Sequence, residues 1–265
     1  MPLQPALAHY TLHLADNALI LGHRNSEWTG RGPILEQDIA LSNIALDLIG
    51  QARNFYQYAA QLRPQSFIDL RHYKDTSDEI TEDSLAYLRD AWDFKNCLLV
   101  EQSNGDWAKT MVRQFFFSTY QFYLYQRLQH SADTQLAAIS EKAYKEVSYH
   151  LRWSSEWVIR LGDGTDESHD RMEKAVDDCW KFTAELYQPA GYEQELLAPG
   201  VAVDLTQIQP QWEEKVREIF AEATLELPSG SRTQTGGKEG RHTEELGYLL
   251  AEMQFLQRAY PGGVW

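Results

Sequence analysis

The helical pattern of residues 136–161 constrains this chain more than any other stretch of its sequence. Residues three or four apart lie on one side of a helix, so LAAISEKAYKEVSYHLRWSSEWVIRL presents one narrow, mostly apolar face. That face consists of Ile139, Ala143, Glu146, His150, Trp153, Trp157 and Leu161. Burying an unpaired charge costs on the order of several kcal/mol, so Glu146 and His150 need partners inside the protein.

Three further segments have the length and periodicity of bundle helices, and no segment indicates a strand. They are residues 7–28, 34–62 and 107–130, and shorter helices are predicted at 84–94, 167–187, 210–225 and 243–260. We therefore predict an all-α protein in one domain. A four-helix bundle over residues 7–161 is followed by a helical extension over residues 162–265.

Two surface features are predicted from the same patterns. On the first helix, His9, His13, Asp16 and Arg24 share the side opposite the apolar residues, so we expect them to face solvent. Residues 64–83 have no clear period and are expected to form a connection with short helical turns.

Charge and cysteine content exclude several functions. A formal net charge of -15 disfavours nucleic acids and anionic membrane surfaces as partners. Two cysteines, Cys97 and Cys179, are too few for a disulfide framework and are expected as reduced thiols. The N-terminus lacks a secretory signal pattern, and no stretch approaches the roughly 18 apolar residues of a membrane span. We expect a soluble, cytoplasmic protein.

Long helices with inward carboxylates raise the hypothesis of a di-iron centre. Such a bundle takes one Glu from each of two helices and a Glu-x-x-His pair from each of the other two. This chain departs from that pattern in three places. The third long helix has no Asp or Glu between Asp106 and Asp133, Asp47 is followed three residues later by Gly50, and Val147 stands three residues before His150. The sequence therefore predicts a degenerate ligand set at Asp47, Gly50, Val147 and His150.

We interpret Glu146 and His150 as a buried polar pair that fixes the position of the helix and reaches towards Asp47 or Asn43. A mononuclear metal site built on this pair is the alternative. Acid-x-x-His triplets also occur at Asp69–His72, Asp166–His169 and Glu239–His242, in connections or at helix starts where chance matches are common.

Residues 228–242 form the longest stretch of low hydrophobicity and gather three cations, Arg232, Lys238 and Arg241. A solvated loop is one interpretation of this segment. A docking segment, or a contact for the phosphates of a large acidic ligand such as CoA, is the other. Gly236-Gly237-Lys238 is not a P-loop, because no Ser or Thr follows the Lys and no strand precedes it.

Four blocks of the sequence resemble a known family. They are LEQDIALSNIALDLIGQARNFYQYAAQL, LLVEQSNGDWAKTMVRQFF, KEVSYHLRWSSEWVIRLGDGTDES and TGGKEGRHTEELGYLLAEMQFLQRAYPGGVW. In this order they resemble the non-catalytic, ferritin-like C subunits of bacterial phenylacetyl-CoA epoxidases. The resemblance covers nearly the whole chain.

The resemblance implies a ferritin-like fold and a structural role in a multicomponent oxygenase of aerobic phenylacetate degradation. It implies no catalytic residue, metal or other cofactor in this chain. The implied partners are a homologous di-iron catalytic subunit, a small additional subunit and a reductase, and the isolated chain could self-associate. Two alternatives remain open at this point: an autonomous ferritin-like, metal-dependent oxidoreductase, and a module that binds CoA thioesters.

Overall fold

The computed structural model describes residues 3–62, 80–229, 233–260 and 263, and within these ranges the chain is helical, with no strand. The helices are α1 (Gln4–Ser26), α2 (Leu35–Gln61), α3 (Glu82–Tyr87), α4 (Leu98–Glu101), α5 (Trp107–Leu128), α6 (Thr134–Gly162), α7 (Asp166–Trp180), α8 (Gly191–Glu195), α9 (Gln209–Glu222), α10 (Glu244–Met253) and α11 (Phe255–Ala259). The predicted all-α bundle with additional C-terminal helices is confirmed. Its division at residues 161 and 162 stays a prediction.

Side-chain caps explain where several helices begin. The Asp106 carboxylate accepts a hydrogen bond from Lys109 N at 3.0 Å at the start of α5. The Asp133 carboxylate accepts from Gln135 N and Leu136 N at the start of α6. These acceptors satisfy amide groups that have no partner within the helix, which stabilises a helix by about 1 kcal/mol per cap.

The four long helices pack in pairs around one apolar core. α1 lies along α2, α5 lies along α6, and α2 also contacts α6. α5 lines the core with Phe115, Phe116 and Phe117, all fully buried. From the C-terminal part of the chain, the Trp212 indole donates to Phe116 O at 2.8 Å and fastens α9 against α5.

Tryptophans fill one end of the interface between α5 and α6. The ring of Trp107 makes edge-on contacts with Trp28, Trp153 and Trp157, at centroid distances of 5.1, 6.1 and 5.6 Å. Gln37 Oε1 accepts hydrogen bonds from the indoles of Trp153 and Trp157, at 3.0 and 2.8 Å. The apolar stripe predicted on residues 136–161 is therefore a packing surface at this end.

Three predicted helices are interrupted in the structure. The segment 84–94 covers most of α3 and a separate 3-10 turn at Ala91–Asp93. The segment 167–187 covers most of α7 and a 3-10 turn at Ala184–Tyr187. The C-terminal helix breaks at Gln254, whose side chain donates to Ala86 O and Arg89 O. Residues 63–79, which include most of the connection predicted at 64–83, lie outside the described residues. None of the helices in the described ranges is both long and apolar enough to span a membrane.

Candidate functional site

The candidate site lies between α2 and α6, where Asp47 and His150 meet. His150 is fully buried, and its Nε2 lies 3.0 Å from Asp47 Oδ2. The Asp47 side chain is 39% exposed, so its carboxylate also reaches solvent. The predicted contact from His150 to Asp47 is present, and it joins the two helices through one hydrogen bond.

The predicted buried pair of Glu146 and His150 is corrected by the structure. Glu146 Oε2 accepts a hydrogen bond from Gln51 Nε2 at 2.9 Å, and Glu146 Oε1 lies 3.8 Å from Lys142 Nζ. The Glu146 side chain is partly exposed, whereas His150 is not. Each of the two groups takes its own partner from α2, because adjacent turns of α6 face successive turns of the neighbouring helix.

The remaining predicted positions offer no donor atom. Val147 is fully buried in the apolar core. At Gly50, a Cβ atom would meet nothing within 4 Å, so the position is open. The hydrocarbon of Val147 and the bare backbone of Gly50 cannot coordinate a metal through a side chain.

α5 contributes amide and phenol groups to this region. Gln121 and Tyr125 are buried, and Gln121 Nε2 lies 3.4 Å from Tyr125 Oη. The ring of Tyr125 stacks on Phe55 of α2 at 6.2 Å. Burial raises the pKa of the Tyr125 phenol; the Gln121 hydrogen bond opposes the shift and the Glu146 charge adds to it. The phenol therefore stays protonated.

On α1, the expectation of a solvent-facing polar side is wrong. His13 and Asp16 are fully buried, and Arg24 is nearly so. The two Asp16 carboxylate oxygens bind the Arg89 guanidinium, and Asp16 Oδ2 also accepts from Lys95 N at 2.7 Å. The Tyr56 hydroxyl donates to the same carboxylate. The segment after α3 covers this side of α1, which the helical period of α1 could not reveal.

These partners shape the electrostatics around Asp16. Burial by itself lowers the pKa of Arg89, but the Asp16 carboxylate together with Tyr56 and Asp93 outweighs burial, and the pKa of the guanidinium is raised. Burial raises the pKa of Tyr56, and the Asp16 charge adds to that shift. Asp16 is therefore committed to a buried ion pair and is not available as a ligand at the α2–α6 site.

The donor set does not fit a di-iron centre. Over residues 3–62, 80–229, 233–260 and 263, no three side chains of His, Cys, Asp or Glu come together in an arrangement that could hold a metal ion. Asp47 and His150 supply one carboxylate and one imidazole, where a di-iron bundle needs four carboxylates and two imidazoles.

The structure also corrects the prediction that Lys238 of the basic loop is available to a ligand. Lys238 is buried, and its Nζ lies 3.0 Å from Glu193 Oε2 and 3.0 Å from Gln188 O. Burial by itself lowers the pKa of Lys238, but the nearby acidic groups, Glu193 foremost, together outweigh burial and raise the pKa. Arg241 pairs with Glu239 at 2.7 Å on the surface, and Arg232 lies outside the described residues. The ammonium of Lys238 therefore holds the fold together and is not presented to a ligand.

Two buried carboxylates that the sequence pattern did not single out fix the same loop. Glu185 Oε1 accepts from Gly236 N and Gly237 N, both at 2.7 Å. Glu101 accepts from Thr243 N at 2.7 Å and lies 2.7 Å from His242 Nδ1. The paired glycines were the available signal, because a Cβ at Gly237 would collide with Asn96 O. Only a residue without a side chain allows this close approach.

The acid-x-x-His triplets do not form ligand pairs where the structure describes them. His242 contacts Glu101, whereas Glu239 contacts Arg241. His169 Nδ1 lies 2.8 Å from Gly162 O, next to the start of α7. The triplet Asp69–His72 lies outside the described residues.

Fold and site together define a class: a ferritin-like helical bundle whose interior is polar between α2 and α6 and lacks a di-iron ligand set among the described residues. A family model described as "Phenylacetic acid catabolic protein" matches residues 3–265. The chain is 48% identical over 259 residues to the C subunit of the 1,2-phenylacetyl-CoA epoxidase of Escherichia coli (strain K12), covering 98% of this chain and 99% of that relative. The chain belongs to the phenylacetic acid catabolic protein family.

Proposed function

We propose that this chain is the structural, non-catalytic subunit of a cytoplasmic phenylacetyl-CoA epoxidase that acts in aerobic phenylacetate degradation. In this proposal a homologous subunit carries the di-iron centre and performs the oxygen chemistry. A small additional subunit and a reductase complete the system. This chain itself holds no cofactor.

One observation carries the proposal: the side chains at the α2–α6 site. His150 and Asp47 satisfy each other, while Gly50 and Val147 contribute no ligand atoms. Hard carboxylate ligands are needed to bridge a pair of irons. In this bundle the imidazole of His150 is used in an internal hydrogen bond. Such a bundle is suited to support a partner rather than to activate oxygen.

A direct contact with the CoA phosphates through Lys238 is not part of the proposal. The Lys238 ammonium is neutralised by Glu193 and buried. Moving it to a ligand would break a buried ion pair, which costs about 3–5 kcal/mol.

The proposal is tested by co-expressing the chain with the other epoxidase subunits and measuring phenylacetyl-CoA epoxidation. We expect a stable complex, and we expect omission of this chain to lower the activity strongly. In the double variant Asp47→Asn, His150→Gln the complex and its activity should persist, because neither residue takes part in the chemistry. Exposed Arg217→Gln serves as the matched control.

Metal analysis of the isolated chain separates this proposal from the alternative of an autonomous metalloenzyme. We expect no stoichiometric iron or manganese in the isolated chain. Stoichiometric metal that disappears in the Asp47→Asn, His150→Gln variant, together with loss of activity in the complex, would contradict the proposal.

A further inference from the structure

A cavity of about 360 Å³ opens between the first turns of α1 and the short helix α8, and Lys95 lies in its wall. Pro5 of α1 and Gly191 and Glu195 of α8 also line this cavity, and all three are exposed, so it is open to solvent. No residue of the α2–α6 site lines it. We call it the Lys95 cavity.

The backbone of Lys95 is held in place by α1. Lys95 N donates a hydrogen bond to Asp16 Oδ2 at 2.7 Å, and His13 Nδ1 lies 2.7 Å from Lys95 O. Asp16 and His13 are both fully buried. The side chain of Lys95 therefore starts from a fixed point beside the cavity, and this point cannot move without breaking buried contacts.

The ammonium group of Lys95 lacks a local partner. Lys95 is partly buried, and among the described residues its Nζ makes no hydrogen bond and no ion pair. Lys238 lines the same cavity but differs, because its Nζ lies 3.0 Å from Glu193 Oε2. A buried charge is normally paired, and a lysine without a partner readily becomes the neutral amine.

The charges around Lys95 favour the neutral amine. Burial lowers the pKa of Lys95, and the charge of Arg89 acts in the same direction. The carboxylates that oppose the shift are Asp16, Asp93 and Glu239, and the net direction is downward. At neutral pH, a larger fraction of Lys95 than of an ordinary exposed lysine is therefore unprotonated. The unprotonated amine is the nucleophilic form of the side chain.

Two rings give the cavity an uncharged wall. The rings of His9 and Tyr192 lie 6.0 Å apart, and the Tyr192 hydroxyl donates to Lys238 O at 3.2 Å. Burial lowers the pKa of His9, and the charge of Lys95 adds to that shift, so the imidazole is neutral at pH 7. An acyl chain or an aromatic ring can pack against such a surface.

We propose that Lys95 is a site of covalent acylation by small thioesters that bind in the Lys95 cavity. The amine nitrogen attacks the carbonyl carbon of the thioester, an N–C bond forms, the C–S bond breaks and the carrier leaves as a thiolate. The proton released from the nitrogen reaches the thiolate through solvent. The products are an amide and a free thiol, with no change of oxidation state. This goes beyond the proposed function and does not depend on it.

The first test uses the isolated chain and the thioester of phenylacetic acid with N-acetylcysteamine, which carries no phosphate. Acylation of each lysine is followed at pH 7.5 by peptide mass spectrometry. We expect Lys95 to react at least about threefold faster than Lys142 and Lys145, although their side chains are 67% and 74% exposed. A smaller excess would overturn the proposal.

The same reaction in urea is the control for local sequence. Unfolding removes the cavity and the burial of Lys95, so the three lysines should then react at equal rates. An excess at Lys95 that persists in urea would arise from the neighbouring residues in the chain and not from the fold, and it would also overturn the proposal.

The second test fills the cavity. A Cβ at Gly191 would meet nothing within 4 Å, so Gly191→Leu fits the fold and occupies the mouth of the cavity. It should slow acylation of Lys95 at least about threefold and leave Lys142 unchanged. The control is Gly247→Leu on α10, where a Cβ also meets nothing within 4 Å. An unchanged rate at Lys95 in Gly191→Leu would show that the thioester does not bind in the cavity.

Discussion

The Asp16–Arg89 ion pair and the Asp47–His150 contact differ in how completely their partners satisfy them. At the first, Asp16 is enclosed by Arg89, Tyr56 and the backbone of Lys95, and neither Asp16 nor Arg89 has an exposed side chain. At the second, His150 makes a single 3.0 Å contact with the Asp47 carboxylate, which is partly open to water. The Asp16 site is fully paired within the fold, whereas the α2–α6 site has polar groups without a protein partner.

The polar atoms around the second site show the same contrast. Among the described residues, His150 Nδ1, Gln51 Oε1 and Gln121 Oε1 are buried without a hydrogen-bond partner. A buried polar atom without a partner costs about 1–3 kcal/mol, so natural proteins keep few of them. The α2–α6 region therefore has buried polar atoms without a protein partner, whereas both carboxylate oxygens of Asp16 have one.

The largest predicted effect falls on the Asp16 site. Arg89→Met should lower the free energy of unfolding by about 3–5 kcal/mol, because it leaves the Asp16 carboxylate buried without its counter-charge. Urea unfolding measures this difference. Exposed Arg217→Met is the control and should change stability by less than about 0.5 kcal/mol. A small loss for Arg89→Met would mean that Asp16 reaches solvent.

The next effect concerns pH, and it acts beside the Asp16 site. Burial lowers the pKa of His13 from 6.5 to about 4, so the folded state keeps this imidazole neutral. The contribution of His13 to the free energy of unfolding is therefore fully present above pH 6.5 and is lost as the pH drops towards 4. In that range the unfolded chain takes up a proton that the folded chain does not. The expected loss is about 3 kcal/mol.

This pH dependence is measured by urea unfolding at several pH values in wild type and in His13→Gln. The variant is expected to lose that part of the slope between pH 6.5 and 4. Exposed His130→Gln is the control and should keep the wild-type slope. An unchanged slope in His13→Gln would show that His13 is not the group that titrates.

A smaller effect tests the α2–α6 site itself. Asp47→Ala should cost about 1–2 kcal/mol, because the buried His150 loses its acceptor. His150→Leu should cost less, since the Asp47 carboxylate that it leaves behind can be hydrated. Asp47→Asn keeps an acceptor and serves as the control. The measurement is the denaturation midpoint of each variant. A larger loss for His150→Leu than for Asp47→Ala would contradict the exposure of the Asp47 carboxylate.

The smallest effect is expected at the surface next to this site. Lys142 Nζ lies 3.8 Å from Glu146 Oε1, and the Lys142 side chain is largely exposed. Lys142→Ala should therefore change the free energy of unfolding by about 0.5 kcal/mol or less. Gln51→Ala, which removes the closer partner of Glu146, should cost more. If Lys142→Ala and Gln51→Ala changed the free energy of unfolding equally, Glu146 would have to be fully exposed to solvent.

The helical architecture could be predicted from the sequence because helices depend on local spacing. The α6 stripe, the long apolar α2 and the aromatic α5 all lie where their periodicity places them. The sequence also showed that Gly50 and Val147 have no side-chain atom that could bind a metal, because this depends only on residue type. The polar side of α1 was assigned wrongly, because its burial depends on a segment more than 70 residues away, through the contact from Arg89 to Asp16.

The sequence alone determined that this chain is an all-α bundle of the phenylacetic acid catabolic protein family, and that Gly50 and Val147 stand where a di-iron pattern would have ligands. Helix periodicity, residue type and family motifs are all properties of local sequence. Only the tertiary structure decided the partner of each of these polar groups: Asp47 for His150, Gln51 for Glu146, Glu193 for Lys238. A buried charge must find a counter-group wherever the fold brings one within reach, and that distance is set by packing rather than by position along the chain.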